Sequence, residues 1–371
     1  MHTRRSPQRW LALDILRGLA VLLMIQGHTF TALLRASEYD GAWSRWHSLV
    51  HGLTAPMFLI GGGLAYGFVV MRDSQQPGLR LVRRGLMLLA LGYLLQFPNA
   101  SPSAWLRDPV LLAGALRVGP LQLIGACLLI CEAVRAVTRT RMQLMATLCV
   151  QALVIALSAP VVWKVRASQG ALLPLGTWFD GYAGSLFPFF PWAVFFLLGV
   201  SVSFGVLLVL ENPAAMRLER LAALTMLAVG VLATSLTYAA FVHGRVLSSW
   251  YGEHELWHTS PLYVVFRAGA VLAGLGLLWV MEPWLRQRWR SNGRLETLLS
   301  AISRHSLVAY VAHLLVLYGT PFTSGLTHDG PTLSIWQASA VSALLIAFTL
   351  GIVLAWQHSQ RVRALPVTKP A

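Results

Sequence analysis

The chain has 371 residues, of which 56% are hydrophobic and only 12% are charged. A soluble domain carries roughly 25% charged residues, so the composition excludes an ordinary soluble protein and favours an integral membrane protein. The net charge of +15 is spread over short segments between apolar stretches, which argues against nucleic-acid binding. The three cysteines lie in apolar stretches, so neither a disulfide framework nor a metal site is expected.

Apolar stretches of bilayer-spanning length, about 20 residues, recur along the chain. They predict an all-α polytopic membrane protein with about ten transmembrane helices in a single domain, residues 1–360, followed by a tail at 361–371. Of the 29 Lys and Arg residues, 21 fall on the side of the membrane where the N-terminus lies, so the positive-inside rule predicts that this side is cytoplasmic. Because the predicted number of spans is even, both termini are expected there. The predicted spans are Leu11–Leu33, Val50–Met71, Leu81–Phe97, Val118–Val134, Gln143–Val162, Leu186–Leu208, Leu221–Phe241, Leu262–Val280, Ala301–Tyr318 and Ser334–Trp356, with a short interfacial helix between Ser101 and Arg117.

The first apolar segment carries Asp14 and Arg17, which share one face of a helix because they are three residues apart. Ionisable residues are costly in lipid and are usually kept for a function. The two residues either form an ion pair that orients the helix, or Arg17 contacts an anionic ligand from the cytoplasm. His28 follows about three helical turns later and either caps the span or takes part in catalysis.

Two more histidines lie at the start of the second span. We expect His47 in the connecting loop and His51 one turn later, directly before Gly52. The aromatic residues beside His47 indicate that it is packed and not freely solvated. Histidines at one face of a membrane indicate proton chemistry, and His47 is the preferred catalytic residue of the two.

Polar residues in later spans are further site candidates, each with a structural alternative. Gln122 either joins helices or contacts a polar ligand, and Trp192 either belongs to an interfacial aromatic belt or contacts a substrate. Arg267 and His313 are ionisable residues inside the eighth and ninth predicted spans, where such residues commonly mark a functional site.

Four motifs resemble those of the transmembrane acyltransferases, and most closely those of the bacterial relatives of heparan-alpha-glucosaminide N-acetyltransferase. There is a looser similarity to the acyltransferase-3 membrane proteins. The motifs are Leu13-Asp14-Ile-Leu-Arg17-Gly18 with Met24 and His28, His47-Ser-Leu-Val-His51-Gly52-Leu53-Thr54, Gly119-Pro-Leu-Gln122, and Ser306-Leu-x-x-Tyr310-x-x-His313. The spacing between the motifs also fits, so the resemblance spans roughly residues 9 to 320.

The resemblance implies an enzyme that moves an acyl group, usually acetyl from acetyl-CoA, across the bilayer to a hydroxyl or amine outside. The active-site histidine of the family, in the pattern His-x-x-x-x-Gly-Leu-Thr, falls on His47. A polar partner at the end of the first span, Asn in the animal enzyme and His in the acyltransferase-3 group, falls on His28. His51 stands where the animal enzyme has Asn.

The residues and the resemblance together predict a metal-free acetyltransferase that uses cytoplasmic acetyl-CoA. His47 is expected to be the general base, with His28 orienting it or the thioester carbonyl. Direct transfer is favoured over an acyl-histidine intermediate, although the sequence does not separate the two. Residues expected to bind the cofactor are Asp14, Arg17, Arg80, Arg83, Arg84 and Gln122, and those expected to bind the acceptor are His51, Trp192, Arg267 and His313.

Two other classes of function stay open. A proton-coupled transporter would use the buried histidines and arginines as a relay, and a membrane scaffold would need neither. The protein is expected in a bacterial inner membrane, in contact with lipid, acyl-CoA and an extracytoplasmic sugar or glycan. No nucleic-acid partner is expected, and the sequence is compatible with a homodimer.

Overall fold

The computed structural model describes residues 10–72, 78–96, 107–169, 173–211, 215–242, 247–252, 254–290, 293–320 and 323–363. Within these ranges the chain is mostly helical, and a two-stranded antiparallel sheet pairs β1 (Gly319–Thr320) with β2 (Thr323–Ser324). The helices are α1 (Leu11–Leu33), α2 (Ala42–His51), α3 (Thr54–Arg72), α4 (Gly78–Leu95), α5 (Pro109–Leu116), α6 (Pro120–Val137), α7 (Arg141–Lys164), α8 (Leu173–Gly176), α9 (Phe189–Leu210), α10 (Ala215–Val242), α11 (Ser248–Tyr251), α12 (Pro261–Arg290), α13 (Gly293–Arg304), α14 (Ser306–Tyr318) and α15 (Ile335–Arg363).

The helices confirm an all-α polytopic membrane protein. Eight helical segments in the described part of the chain are long and apolar enough to cross a membrane, and a ninth is obtained if the bent pair α13–α14 counts as one span. The helix α4 occupies the predicted third span but is not among the eight, because its 18 residues include three charged side chains, Arg80, Arg83 and Arg84. The predicted count of ten spans and the cytoplasmic position of both termini stay predictions.

The structure differs from the predicted segments at two places that matter for function. The loop predicted around His47 is helical instead, since α2 runs from Ala42 to His51 and packs its aromatic face on α1. The predicted ninth span, Ala301–Tyr318, covers the last turn of α13 and all of α14, and the two helices meet at His305 with a bend of 79°. The backbone of His305, with φ −109° and ψ 30°, departs from helical geometry and so interrupts the helix.

Two predicted end segments are only partly described. The interfacial helix expected between Ser101 and Arg117 is present as Pro109–Leu116, and residues 101–106 lie outside the described ranges. In the predicted tail, Arg361–Arg363 complete α15, and residues 364–371 lie outside the described ranges. Phe97, the last residue of the predicted third span, lies outside them as well.

The chain divides into two compact units, Met1–Thr54 with Leu278–Ala371 and Ala55–Leu277. In the first unit, α1 packs against α13, α14 and α15, and these three helices also pack against one another. In the second unit, α4 packs along α6, and α9 packs against α6, α7 and α10. A predicted single domain over residues 1–360 stays a prediction.

The start of α1 is fixed by a side chain from a distant part of the sequence. The carboxylate of Glu282 accepts hydrogen bonds from the backbone N–H groups of Leu11 and Ala12 over 3.3 and 3.2 Å. These first-turn amides have no partner inside the helix, so the carboxylate caps them and also favours the positive end of the helix dipole. The Trp10 ring packs edge-on against Trp279 beside this cap, with 5.0 Å between the ring centroids.

The end of α1 is fixed by an apolar cluster and a short backbone bridge. The N–H of Leu333 donates to the carbonyl of Leu33 over 2.8 Å, and the N–H of Arg35 donates to the carbonyl of Leu333 over 3.0 Å. Phe30 and Leu34 are buried there against Ala338 of α15. The last turn of α1, which follows the turn that carries His28, is therefore anchored on both sides.

Candidate functional site

Four histidines from three helices come together in the first unit. His28 lies one turn before the end of α1, His47 and His51 lie one turn apart on α2, and His313 lies in the middle of α14. His28 contacts His313, and His47 contacts His51. We call these four residues the histidine cluster.

The close approach of α1 and α2 brings the His47–His51 pair next to the His28–His313 pair. A Cβ atom added to Gly27 would lie 2.9 Å from Cε1 of His51, so only glycine leaves room for the imidazole at this position. Because Gly27 directly precedes His28, the contact brings His51 alongside the helix turn that carries His28. The cluster therefore depends on a glycine that the sequence motifs did not single out.

The His28–His313 pair has defined hydrogen-bond geometry. Nδ1 of His28 lies 2.9 Å from Nε2 of His313, and the two rings are nearly parallel, with an interplanar angle of 23°. Nδ1 of His313 lies 2.8 Å from the backbone carbonyl of Ala309, one turn earlier on the same helix. The side chain of His313 is fully buried, whereas that of His28 is partly buried.

His47 is held by an aromatic shell and one amide. Its ring stacks on Phe30, with 5.1 Å between centroids and 18° between planes, and meets Trp43 edge-on at 5.4 Å. Nε2 of His47 lies 3.2 Å from the amide nitrogen of Gln26. Its centroid is 4.1 Å from that of His51. The Trp43–His47 spacing of four residues puts both rings on one face of α2, toward α1.

Gln26 is a residue of the site that sequence reasoning missed. A polar side chain two positions before His28 in an apolar segment was an available signal, because a buried amide requires hydrogen-bond partners. Gly27 had no comparable signal, since the close approach of α2 becomes visible only in three dimensions.

Asp14 and Arg17 lie on α1 but not in the histidine cluster. Asp14 is buried and accepts a hydrogen bond from the hydroxyl of Ser303 over 2.8 Å. Nη2 of Arg17 donates to the hydroxyl of Ser306 over 3.2 Å. At 1.5 Å per residue, Arg17 lies about 16 Å along the helix from His28. The two residues thus bind both sides of the bend between α13 and α14.

The other predicted residues belong to the second unit. Arg80, Arg83 and Arg84 are exposed on the first turns of α4. Gln122 is buried, and its Oε1 accepts a hydrogen bond from the N–H of Gly119 over 3.2 Å, which caps the start of α6. Its oxygen therefore has a structural role within its own helix.

Trp192 and Arg267 meet on a shared aromatic residue of the second unit. The guanidinium of Arg267 lies over the ring of Tyr263, 4.9 Å from its centroid, and Trp192 approaches the same ring edge-on at 6.0 Å. Nε and Nη1 of Arg267 are buried without a hydrogen-bond partner among the described residues. This arrangement is a cation–π contact with unused donors.

The cluster is suited to proton transfer. Imidazole changes protonation near neutral pH and can accept or donate a proton at either nitrogen. Across the described ranges, no group of three or more His, Cys, Asp or Glu side chains is arranged to hold a metal ion. The arrangement can remove a proton from a hydroxyl or amine and offer an N–H to a developing oxyanion.

Comparison with known families gives the class of protein. The family model described as heparan-alpha-glucosaminide N-acetyltransferase, catalytic, matches residues 9–207, just over half of the chain. The matched stretch contains His28, His47 and His51 and ends before His313. A search of curated proteins gave no match. The chain therefore belongs to the family of the heparan-alpha-glucosaminide N-acetyltransferase catalytic domain and is an integral membrane acetyltransferase.

Proposed function

We propose that the protein transfers an acetyl group from cytoplasmic acetyl-CoA to a hydroxyl or amine of an extracytoplasmic acceptor, a sugar or glycan. The observation that carries the proposal is the histidine cluster. Three of its members come from the stretch that matches the acetyltransferase family, and they lie together with His313 at one end of α1. A bacterial inner membrane is the proposed location.

The proposed reaction is direct transfer between two substrates. A histidine of the cluster takes the proton from the acceptor as its oxygen or nitrogen attacks the thioester carbonyl carbon. The carbonyl oxygen becomes an oxyanion, which an N–H donor stabilises. The carbon–sulfur bond then breaks, and coenzyme A leaves as a thiolate that takes back the proton. His47 and His28 are the two candidate bases. His51 and His313 are proposed as contacts of the acceptor.

The cofactor is proposed to bind through its phosphates. Arg80, Arg83 and Arg84 place three exposed guanidinium groups on one short stretch of α4, and arginine suits phosphate because its planar fork binds two oxygens at once. Arg17 is proposed to add a further contact, with Asp14 and Ser306 fixing the helix around it. Gln122 is the remaining proposed cofactor contact, through its amide nitrogen.

In the second unit, Trp192 and Arg267 are proposed to bind an acceptor group. Tryptophan offers an apolar face to a sugar ring, and the buried donors of Arg267 could bind an acceptor oxygen. Both side chains already meet at Tyr263, so one acceptor group could reach both.

The test is acetyl-CoA turnover by the purified protein in detergent, measured with a panel of amino sugars and glycans. Wild type is compared with His47→Ala and with His358→Ala, an exposed histidine on α15 that serves as the control. Acetyl transfer that is lost in the first variant and kept in the second supports the proposal. A folded protein that neither binds nor turns over acetyl-CoA contradicts it, and proton-coupled uptake in vesicles would then favour a transporter.

A further inference from the structure

We propose that His28 is the general base of this enzyme and that His313 is the residue that positions it. In this arrangement His313 holds the Nδ1–H of His28, which leaves Nε2 of His28 free to take the proton of the acceptor. The inference rests on the proposed acetyl transfer and deepens it, because it assigns one nitrogen atom among the two candidate bases. It also gives a function to a residue beyond the stretch that matches the family.

The argument begins at the backbone carbonyl of Ala309. A carbonyl oxygen has no proton, so at 2.8 Å it can only accept from Nδ1 of His313. Nδ1 of His313 therefore carries a hydrogen. Because the His313 side chain is fully buried, a second proton would place an imidazolium in an apolar interior, which costs far more than a neutral ring. His313 is thus neutral, and its Nε2 has a lone pair.

The next step fixes the proton on His28. Nε2 of His313 is an acceptor, and Nδ1 of His28 lies 2.9 Å from it, so this nitrogen must donate. The neutral ring of His28 then carries its only proton on Nδ1. Its Nε2 keeps a lone pair and makes no hydrogen bond to any described residue. The carbonyl of Ala309, the ring of His313 and the ring of His28 thus form a hydrogen-bonded chain, in which a buried acceptor selects the tautomer of a catalytic histidine.

The hydrogen bonding of His47 differs from that of His28. Its Nε2 lies 3.2 Å from the amide nitrogen of Gln26, which has hydrogens to donate and no lone pair to offer. The lone pair of that ring nitrogen is therefore occupied, and the proton of the neutral ring lies on Nδ1. With this amide orientation, His47 is a hydrogen-bond donor, which suits the oxyanion of the transition state.

The proton balance of the step is complete within the two substrates and His28. The O–H or N–H bond of the acceptor breaks, and its proton moves to Nε2 of His28 as the new bond to the acetyl carbon forms. The carbon–sulfur bond breaks, and the thiolate of coenzyme A takes the proton from His28. His313 exchanges no proton and acts only by holding the ring.

The kinetic test compares three variants in the acetyl-transfer assay. His28→Gln is expected to lower kcat by roughly 10²–10⁴-fold, the usual contribution of a general base. His313→Ala is expected to lower kcat by about 10²-fold with an unchanged KM for acetyl-CoA, as a misplaced catalytic group does. His313→Gln is expected to recover part of this loss, since an amide oxygen can accept the Nδ1–H of His28. Equal loss in both His313 variants, or a loss that lies in KM alone, overturns the positioning role.

A second measurement reads the tautomer directly and does not need turnover. Solid-state NMR of protein labelled with ¹⁵N in its histidine rings, reconstituted in lipid vesicles, separates protonated from unprotonated ring nitrogens. His28→Gln assigns the signals of His28. A protonated Nδ1 with an unprotonated Nε2 on His28 supports the hydrogen-bonded chain, and a proton on Nε2 of His28 overturns it. If this tautomer of His28 is observed but no acetyl transfer occurs with any acceptor, the proposed function fails and the tautomer assignment stands.

Discussion

The hydroxyl of Ser303 donates a hydrogen bond to the buried carboxylate of Asp14 over 2.8 Å. The two residues are 289 positions apart, and the bond joins α1 to the last turn of α13. Three residues later on α1, Arg17 bonds to Ser306 at the start of α14. The first helix therefore carries polar groups that hydrogen-bond to residues on both sides of the bend at His305. The two residues proposed as cofactor contacts therefore also hold the first helix against this bend.

The Asp14–Ser303 bond leads to a prediction about stability. Ser303→Ala removes the donor and leaves part of a buried carboxylate without its partner, which costs about 1–3 kcal/mol of unfolding free energy. The measurement is the thermal unfolding temperature in detergent. Ser339→Ala is the matched control, because that hydroxyl is exposed and bonds only to a carbonyl of its own helix. A variant at position 303 that unfolds at the same temperature as this control contradicts the prediction.

A second prediction concerns the cap on α1. Glu282→Ala removes the carboxylate from the amides of Leu11 and Ala12 and from its ion pair with Arg286, so a loss of about 1–3 kcal/mol in unfolding free energy is expected. Glu282→Gln keeps an acceptor oxygen and is expected to lose less. Hydrogen exchange at the first turn of α1 tests this locally. Unchanged protection of these amides in the alanine variant would show that they are capped in another way.

The sequence alone predicted most of the helices, but it did not predict which helices and side chains contact one another. The bounds of α1 were predicted to the residue because a largely apolar run has the length of one span. The bend at His305 was missed, although the polar residues Ser303–Ser306 interrupt the apolar run at this point and were an available signal. His28 and His47 were identified as candidates from their types and positions, whereas the contact of His28 with His313 joins residues 285 apart. No periodicity within one segment encodes such a contact.

The role of Gly27 can be tested by adding one methyl group. Gly27→Ala places a Cβ against the ring of His51 and must push α2 or the ring away from α1. Displacement of a catalytic group by about 1 Å can cost about 10²-fold in rate, so acetyl transfer is expected to fall by about this factor. Gly351→Ala on α15 is the control, since a Cβ there meets nothing within 4 Å. Full activity of the Gly27 variant would mean that His51 can move without consequence.

The basic stretch of α4 gives the last prediction, which separates cofactor binding from chemistry. If Arg83 and Arg84 bind the phosphates of acetyl-CoA, the double variant to Gln raises the KM for acetyl-CoA and leaves kcat unchanged, because the contact is the same in the ground and transition states. The KM of the wild type is expected to rise with salt, since exposed charges are screened over about 8 Å at physiological ionic strength. Arg363→Gln, an exposed arginine at the end of α15, is the control and should change neither constant. A fall in kcat at constant KM in the double variant would place these arginines in a conformational or structural role and remove them from the cofactor site.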